Sequence, residues 1–247
     1  MTAPPTERTL QSLLQGWILR LLTRRGHDNS LLGRNQYVLW PVRRCNLACS
    51  YCVSSGAREV SWVESHPDRV VQLFKQLAPG VVLITGGEPT LWAALPNVLD
   101  ALPQHVWVLL TNGAFIPEWL TADRIALVIT THHREGISWD RYFSNIQSLM
   151  ERGVKVVMKI LLHPDDPETA FAHFHQAWAS KIVAHVCPLS YMTYPVPLRH
   201  RVISECLTSC LYNSRFFLRP RFLCLEGSWC PAGSPRMFQV MPSGDLV

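Results

Sequence analysis

Cys45, Cys49 and Cys52 fall in the run Arg44-Cys45-Asn46-Leu47-Ala48-Cys49-Ser50-Tyr51-Cys52, separated by three and then two residues. That spacing lets one short loop wrap three thiolates around a single metal centre. Three sulfurs make a soft donor set that suits an iron–sulfur cluster, and a cubic four-iron cluster on three cysteines keeps one iron open for chemistry. Thiolates serve zinc equally well, with a fourth ligand from a distant Cys or His. Downstream, Thr85-Gly86-Gly87-Glu88-Pro89 follows the apolar run 81–84. A glycine turn there sets backbone and a carboxylate at the end of a buried strand, and a zinc knuckle needs no such turn.

Between and beyond these motifs, strand and helix patterns alternate. Short apolar runs ending in polar or turn residues predict strands over 37–42, 81–85, 106–111, 125–130, 154–162 and 182–186. Helical patterns lie between them, including 67–77, 95–102, 139–152 and 168–178. Such alternation argues for parallel βα units in an α/β fold. No internal repeat or low-complexity linker interrupts it.

Both motifs, in this order, resemble the radical SAM superfamily, which carries a three-cysteine loop after its first strand and a Gly-Gly-Glu-Pro turn after its second. The resemblance implies a partial (β/α)6 TIM-like barrel, open on one side, with ligands at the carboxyl ends of the strands. It implies that Cys45, Cys49 and Cys52 each bind one iron of a 4Fe-4S cluster whose fourth iron is chelated by S-adenosylmethionine. One electron, from a donor such as flavodoxin or ferredoxin, then cleaves the sulfonium bond. The products are methionine and a 5′-deoxyadenosyl radical that takes hydrogen from the substrate. Carried over, Gly86, Gly87, Glu88 and Pro89 form the turn that holds the methionine ammonium, the glycines by close approach and Glu88 as acceptor. Tyr51 matches the aromatic position beside the adenine.

The barrel ranks the remaining polar residues by position. Thr111, Asn112 and Gly113 end the third strand, Thr130, Thr131, His132 and His133 end the fourth, and Lys159 lies within the fifth. All are expected to face the cavity, or else Thr111-Asn112-Gly113 is simply a turn and Lys159 is paired structurally within the barrel. By family analogy Thr111, Asn112, Thr131 and Lys159 are candidate cofactor contacts. The paired histidines are expected either to ligate or exchange protons, or only to hydrogen-bond locally. Cys187, Tyr191 and Tyr194 are considered as hydrogen donors to a substrate radical, with nothing to separate them from structural roles.

Domain organisation reads as an N-terminal amphipathic extension over 1–34, a core over 35–197 and a Cys-rich extension over 198–247. An apolar share of 48% with 17% charged residues fits a folded enzyme rather than a disordered chain. No stretch reaches the roughly 18 apolar residues that span a membrane. The segment 10–22, with its basic end at Arg20, Arg24 and Arg25, is read as a helix packed outside the barrel, a transit peptide or a membrane-surface helix. An open cluster calls for a reducing compartment, so a cytoplasmic location is expected. Arg199, Arg201, Arg215, Arg219, Arg221 and Arg236 gather beside aromatics near the end of the chain. They form either a solvated face or a binding surface, and without a recognisable module nucleic acid is not an expected partner.

Cys187, Cys206, Cys210, Cys224 and Cys230 also crowd the last third. Cys230-Pro231-Ala232-Gly233, followed by a Pro-x-Gly turn at Pro242-Ser243-Gly244, resembles the opening of a SPASM or twitch extension, whose next cysteine would fall just past Val247. Either the sequence is a fragment or the extension is degenerate. Cys206, Cys210, Cys224 and Cys230 are therefore candidates for an auxiliary cluster or zinc, or are ordinary buried residues. The expected substrate is a peptide under modification. A small molecule or nucleoside is the alternative, and a metal-stabilised binding module without turnover is a third.

Overall fold

The computed structural model describes residues 35–52, 64–188, 197, 198 and 201, and the backbone of Met237–Val240. The expectations for 1–34, Tyr191, Tyr194, Cys206, Cys210, Cys224 and Cys230 lie outside the described residues.

Six parallel strands run in sequence order across one sheet: β1 (Asn35–Leu39), β2 (Gly80–Ile84), β3 (Val106–Thr111), β4 (Leu127–His132), β5 (Val156–Leu162) and β6 (Val183–Pro188). Among these six each pairs with its sequence neighbours, and no described pairing joins β6 to β1. This is the order of a barrel left open, as expected; a doubly wound sheet would reverse direction from its middle. A seventh strand, β7 (Met237–Val240), lies parallel to β1 with Val38 opposite Gln239. The sequence reading gave this segment to the C-terminal extension, and the backbone sets it on the core sheet's edge.

Helices follow the strands where start signals meet an apolar face. α1 (Pro67–Gln76) and α4 (Pro167–Ala179) open on proline at the first helical position, where a missing N–H costs nothing. Asp166 caps α4 by accepting from the Thr169 amide at 3.4 Å. α2 (Leu95–Asp100) and α3 (Trp139–Glu151) complete the layer. These helices bury Val70, Phe74, Leu95, Phe143, Ile146, Phe171 and Phe174 against the outer face of the sheet. Each large side chain contributes about 1.5–3 kcal/mol of burial, so this interface fixes which face looks outward. The inner face carries a separate, smaller apolar cluster around Val108, Leu127 and Val157.

Boundaries moved at five strands, by one residue at β2, which runs over Gly80–Ile84 rather than 81–85. β1 ends at Leu39, because Pro41 leaves the ladder and Val42 forms an antiparallel bridge with Glu64 instead. β4 begins at Leu127 and continues through Thr131 and His132, so these two lie inside the strand, and only His133 follows it. β5 starts at Val156, two residues later than its apolar run. β6 extends to Pro188 and takes in Cys187, which sequence reasoning set beyond the strand.

Candidate functional site

The cysteine loop leaves β1 and is bound to the turn after β2 by backbone hydrogen bonds. The Thr85, Gly87 and Glu88 amides donate to the carbonyls of Leu39, Val42 and Arg44 at 2.9, 2.9 and 2.8 Å. Gly86 has φ +133°, and a Cβ there would lie 2.5 Å from the Val42 carbonyl oxygen. A Cβ on Gly87 would overlap the carbonyl oxygens of Arg43 and Arg44. The two glycines thus let the turn lie directly against the approach to Cys45. Arg44 adds a side-chain link, bridging to Glu64 at 2.7 Å and donating to the Leu91 carbonyl.

Glu88 is buried at 1% exposure, and its carboxylate ties the ends of β2 and β3 together. Oε1 accepts from the Thr90 amide (3.1 Å), the Thr90 hydroxyl (2.7 Å) and the Thr111 hydroxyl (2.8 Å), and Oε2 from the Asn112 amide (2.7 Å). Burial pushes its pKa up and these bonds pull it down. Oε2, with a single partner, keeps capacity for one more donor. Pro89 is buried at the start of the short 3-10 turn Pro89–Leu91, which Glu88 caps.

Asn112 connects this carboxylate to the cysteines. Its Nδ2 donates to Asn46 Oδ1 at 2.7 Å and to Cys45 Sγ at 3.6 Å, and its Oδ1 accepts from the Ala114 amide at 2.9 Å. Sequence reading put Thr111 and Asn112 at the site, and the structure brings both to Glu88.

A second clamp comes from the loop after β4. Glu135 accepts from the Ser50 amide at 2.6 Å and the Ser50 hydroxyl at 2.7 Å. A Cβ on Gly136 would strike Leu47 at 2.6 Å. Tyr51 lies over the ends of β4 and β5, stacked on His133 at 5.8 Å and edge-on to His163 at 5.1 Å, with its hydroxyl 3.3 Å from His133 Nδ1. Sequence reasoning missed Glu135, Asn46 and His163. Ser50 and Glu135 are 85 residues apart, and no local pattern signals their contact.

Cys45 is exposed, Cys49 buried and Cys52 intermediate, and none of the three is in a disulfide. Burial raises the pKa of Cys45 and of Cys49; repulsion from Glu88 and then Cys52 raises Cys45 further, and repulsion from Cys45 and Cys52 does the same for Cys49. Three mutually repelling sulfurs are a donor set that a cation would relieve. Among the described residues no three His, Cys, Asp or Glu side chains group tightly enough to share one ion. Three thiolates on one short loop suit a multi-iron cluster, which gives each cysteine its own iron.

The remaining candidates divide by face. Thr131 and Lys159 lie opposite one another on the inner face, as expected. Thr130 and His132 do not face the cavity. Alternation turns them toward the helices, where Thr130 is fully buried and His132 Nε2–H donates to the Ile137 carbonyl (3.1 Å) and packs on Trp139 and Tyr142. Arg201, read as part of a basic surface, pairs with Glu168 and sits 4.2 Å over the Phe171 ring.

The family model described as Radical SAM superfamily matches residues 41–177, more than half of the chain. Among curated proteins the chain is 26% identical over 133 residues to a "Probable GTP 3',8-cyclase" of Archaeoglobus fulgidus, covering 50% of this chain and 44% of that protein. The chain therefore spans less than half the length of this relative. Among solved structures, Streptococcus suis SuiB aligns over 100% of this chain and 67% of its own, with TM-score 0.65 at 16% identity. Native anSMEcpe with bound AdoMet and Cp18Cys peptide aligns over 85% and 72%, with TM-score 0.62 at 12% identity. At such identities these two show a shared fold. No helix among the described residues is long and apolar enough to cross a membrane.

Proposed function

The chain belongs to the radical SAM superfamily, and from that premise we propose that it is an enzyme that modifies a peptide substrate. The observation that carries the catalytic reading is the backbone clamp between the Gly86-Gly87-Glu88 turn and the segment leading into Cys45. It joins the three-thiol loop to a buried carboxylate at the carboxyl ends of the strands, the face where parallel barrels keep their chemistry.

Cys45, Cys49 and Cys52 would hold a 4Fe-4S cluster. When bound, it supplies the electron that cleaves S-adenosylmethionine to a hydrogen-abstracting 5′-deoxyadenosyl radical. The chain's own residues bind and orient. Glu88 Oε2 offers its remaining acceptor capacity to an ammonium, Tyr51 supplies an aromatic face, and Asn112 holds Cys45 and Glu88 in one frame. Thr111 is committed to Glu88 and acts by positioning it.

The peptide reading is supported by the resemblance of the Cys230-Pro231 segment to a SPASM or twitch opening and by the fold shared with a peptide-bound anSMEcpe. A nucleotide is the second reading, favoured by the sequence similarity to the probable GTP cyclase. Deuterium transfer separates them. The reconstituted chain is supplied with S-adenosylmethionine, reductant, and either a deuterated peptide library or deuterated GTP. Deuterium in 5′-deoxyadenosine from the peptides alone supports the first reading, and deuterium from GTP alone replaces it with the second.

A further inference from the structure

The inner face of the sheet carries a polar row that the cysteine centre does not use. Register sets Thr131 opposite Lys159 and Lys159 opposite His185, on three neighbouring strands. Ile129, Val157 and Val183, two residues earlier in the same strands, belong to the apolar inner cluster. Strand alternation puts both rows on one face, so Thr131, Lys159 and His185 form the first polar layer above an apolar floor.

That layer carries one positive charge and no negative one. Among the described residues no carboxylate or carbonyl is bonded to the Lys159 ammonium, which is only partly exposed. A partly enclosed charge of this kind is costly until it meets a counter-charge. Burial holds the His185 pKa down to about 3, and the Lys159 charge adds to the effect. His133, just beyond β4, is held down to about 4 by burial first and then by His132 and Lys159. Both rings are neutral near pH 7 and keep an N–H to donate. Of the carboxylates on the surrounding loops, Glu135 is bonded to Ser50, Asp165 to Arg134, and Glu88 to four donors, with its remaining acceptor position assigned above to the cofactor ammonium.

We propose that Lys159 and His185, with Thr131 beside them, bind one anionic group of the substrate, a carboxylate or a phosphate, on the inner face of the barrel. This names a chemical feature of the substrate and rests on the catalytic reading above. It also assigns Lys159 to the substrate rather than to the cofactor contact expected from family analogy. The apolar floor beneath the row suits a substrate whose anionic group is attached to a short apolar stem.

The test is calorimetric titration of the reconstituted full chain, with and without S-adenosylmethionine, in chloride-free buffer. Glutarate probes the carboxylate case and pyrophosphate the phosphate case. K159M, K159R and H185Q are compared with the wild type, and iron content and S-adenosylmethionine affinity are measured on the same preparations. One of the two anions is expected to bind at one per chain, about tenfold or more weakly in K159M, as loss of one charge-assisted hydrogen bond implies. K159R is expected to retain binding and H185Q to weaken it, with iron and cofactor affinity unchanged. Should K159M not fold, H185Q against wild type decides. Absence of binding by both anions, or binding by K159M and H185Q as tight as by the wild type, overturns the proposal. It is also overturned if K159M weakens S-adenosylmethionine, since Lys159 would then serve the cofactor's own carboxylate. A wild type that binds anion through Lys159 but neither assembles a cluster nor binds S-adenosylmethionine would overturn the catalytic reading and leave the anion site standing.

Discussion

The Cβ that Gly87 lacks would fall on the carbonyl oxygen of Arg44, the residue immediately before the first cysteine. The glycine turn and the cysteine loop are therefore one structural unit, and a substitution in the first is expected to disable the second.

Gly87→Ala must push the 43–44 backbone away from the turn and break the Gly87–Val42 and Glu88–Arg44 hydrogen bonds. Overpacking against backbone typically costs about 1–3 kcal/mol, and two weakened hydrogen bonds add to it. Urea denaturation should show a loss of roughly 2–4 kcal/mol, and reconstitution should yield less iron per chain than wild type.

Glu88→Ala removes the acceptor of the buried Thr90 and Asn112 amides as well as two hydroxyls. Each stranded buried donor costs about 1–3 kcal/mol, so the variant should lose roughly 2–5 kcal/mol of stability in addition to any cofactor affinity. Denaturation midpoints, read beside S-adenosylmethionine titrations, separate the two effects.

Asn112 donates to Cys45 Sγ at 3.6 Å. An N–H aimed at a cluster thiolate stabilises the more negative, reduced state and raises its reduction potential. Asn112→Ala should lower the cluster midpoint by roughly 20–60 mV, the one-electron equivalent of a modest hydrogen bond. An EPR-monitored redox titration checks it.

The pH dependence follows from rings held neutral by burial. His185 and His173 have their pKa values lowered to about 3 and about 4. In the unfolded chain both titrate near 6.5, so below that value the unfolded state binds more protons than the folded one. Stability is fully present above pH 6.5 and falls as pH drops toward 4, by up to about 1.4 kcal/mol per pH unit for each ring. Urea unfolding of the iron-free chain between pH 7.5 and pH 4.5 should show this decline, with little change above pH 7.

The barrel was legible because its elements are written locally. Apolar runs of strand length separated by helical patterns give the six parallel strands, and the two motifs carry their own spacing. Contacts between distant segments were not legible. Glu135 reaches Ser50 across 85 residues, and nothing around either residue distinguishes it from an ordinary surface polar group. The inward and outward division of the fourth strand was lost for another reason. Thr130, Thr131, His132 and His133 are all polar, so no hydrophobic alternation marks which of them face the helices. Only the register with β5, which sets Thr131 against Lys159, resolves it. Glu88 stands out in the sequence through its motif, but its bonds to Thr90, Thr111 and Asn112 depend on how the β2 and β3 ends meet.

Anaerobic reconstitution with iron and sulfide, followed by an assay for 5′-deoxyadenosine with S-adenosylmethionine and dithionite, tests the central claim most directly, with Cys49→Ala alongside. The account predicts about four irons per chain for the cysteine centre, deoxyadenosine formation by the wild type, and loss of both that cluster's absorbance and cleavage in Cys49→Ala. Iron beyond four would belong to a further cluster. Bound zinc without deoxyadenosine, or cleavage retained in Cys49→Ala, would contradict it.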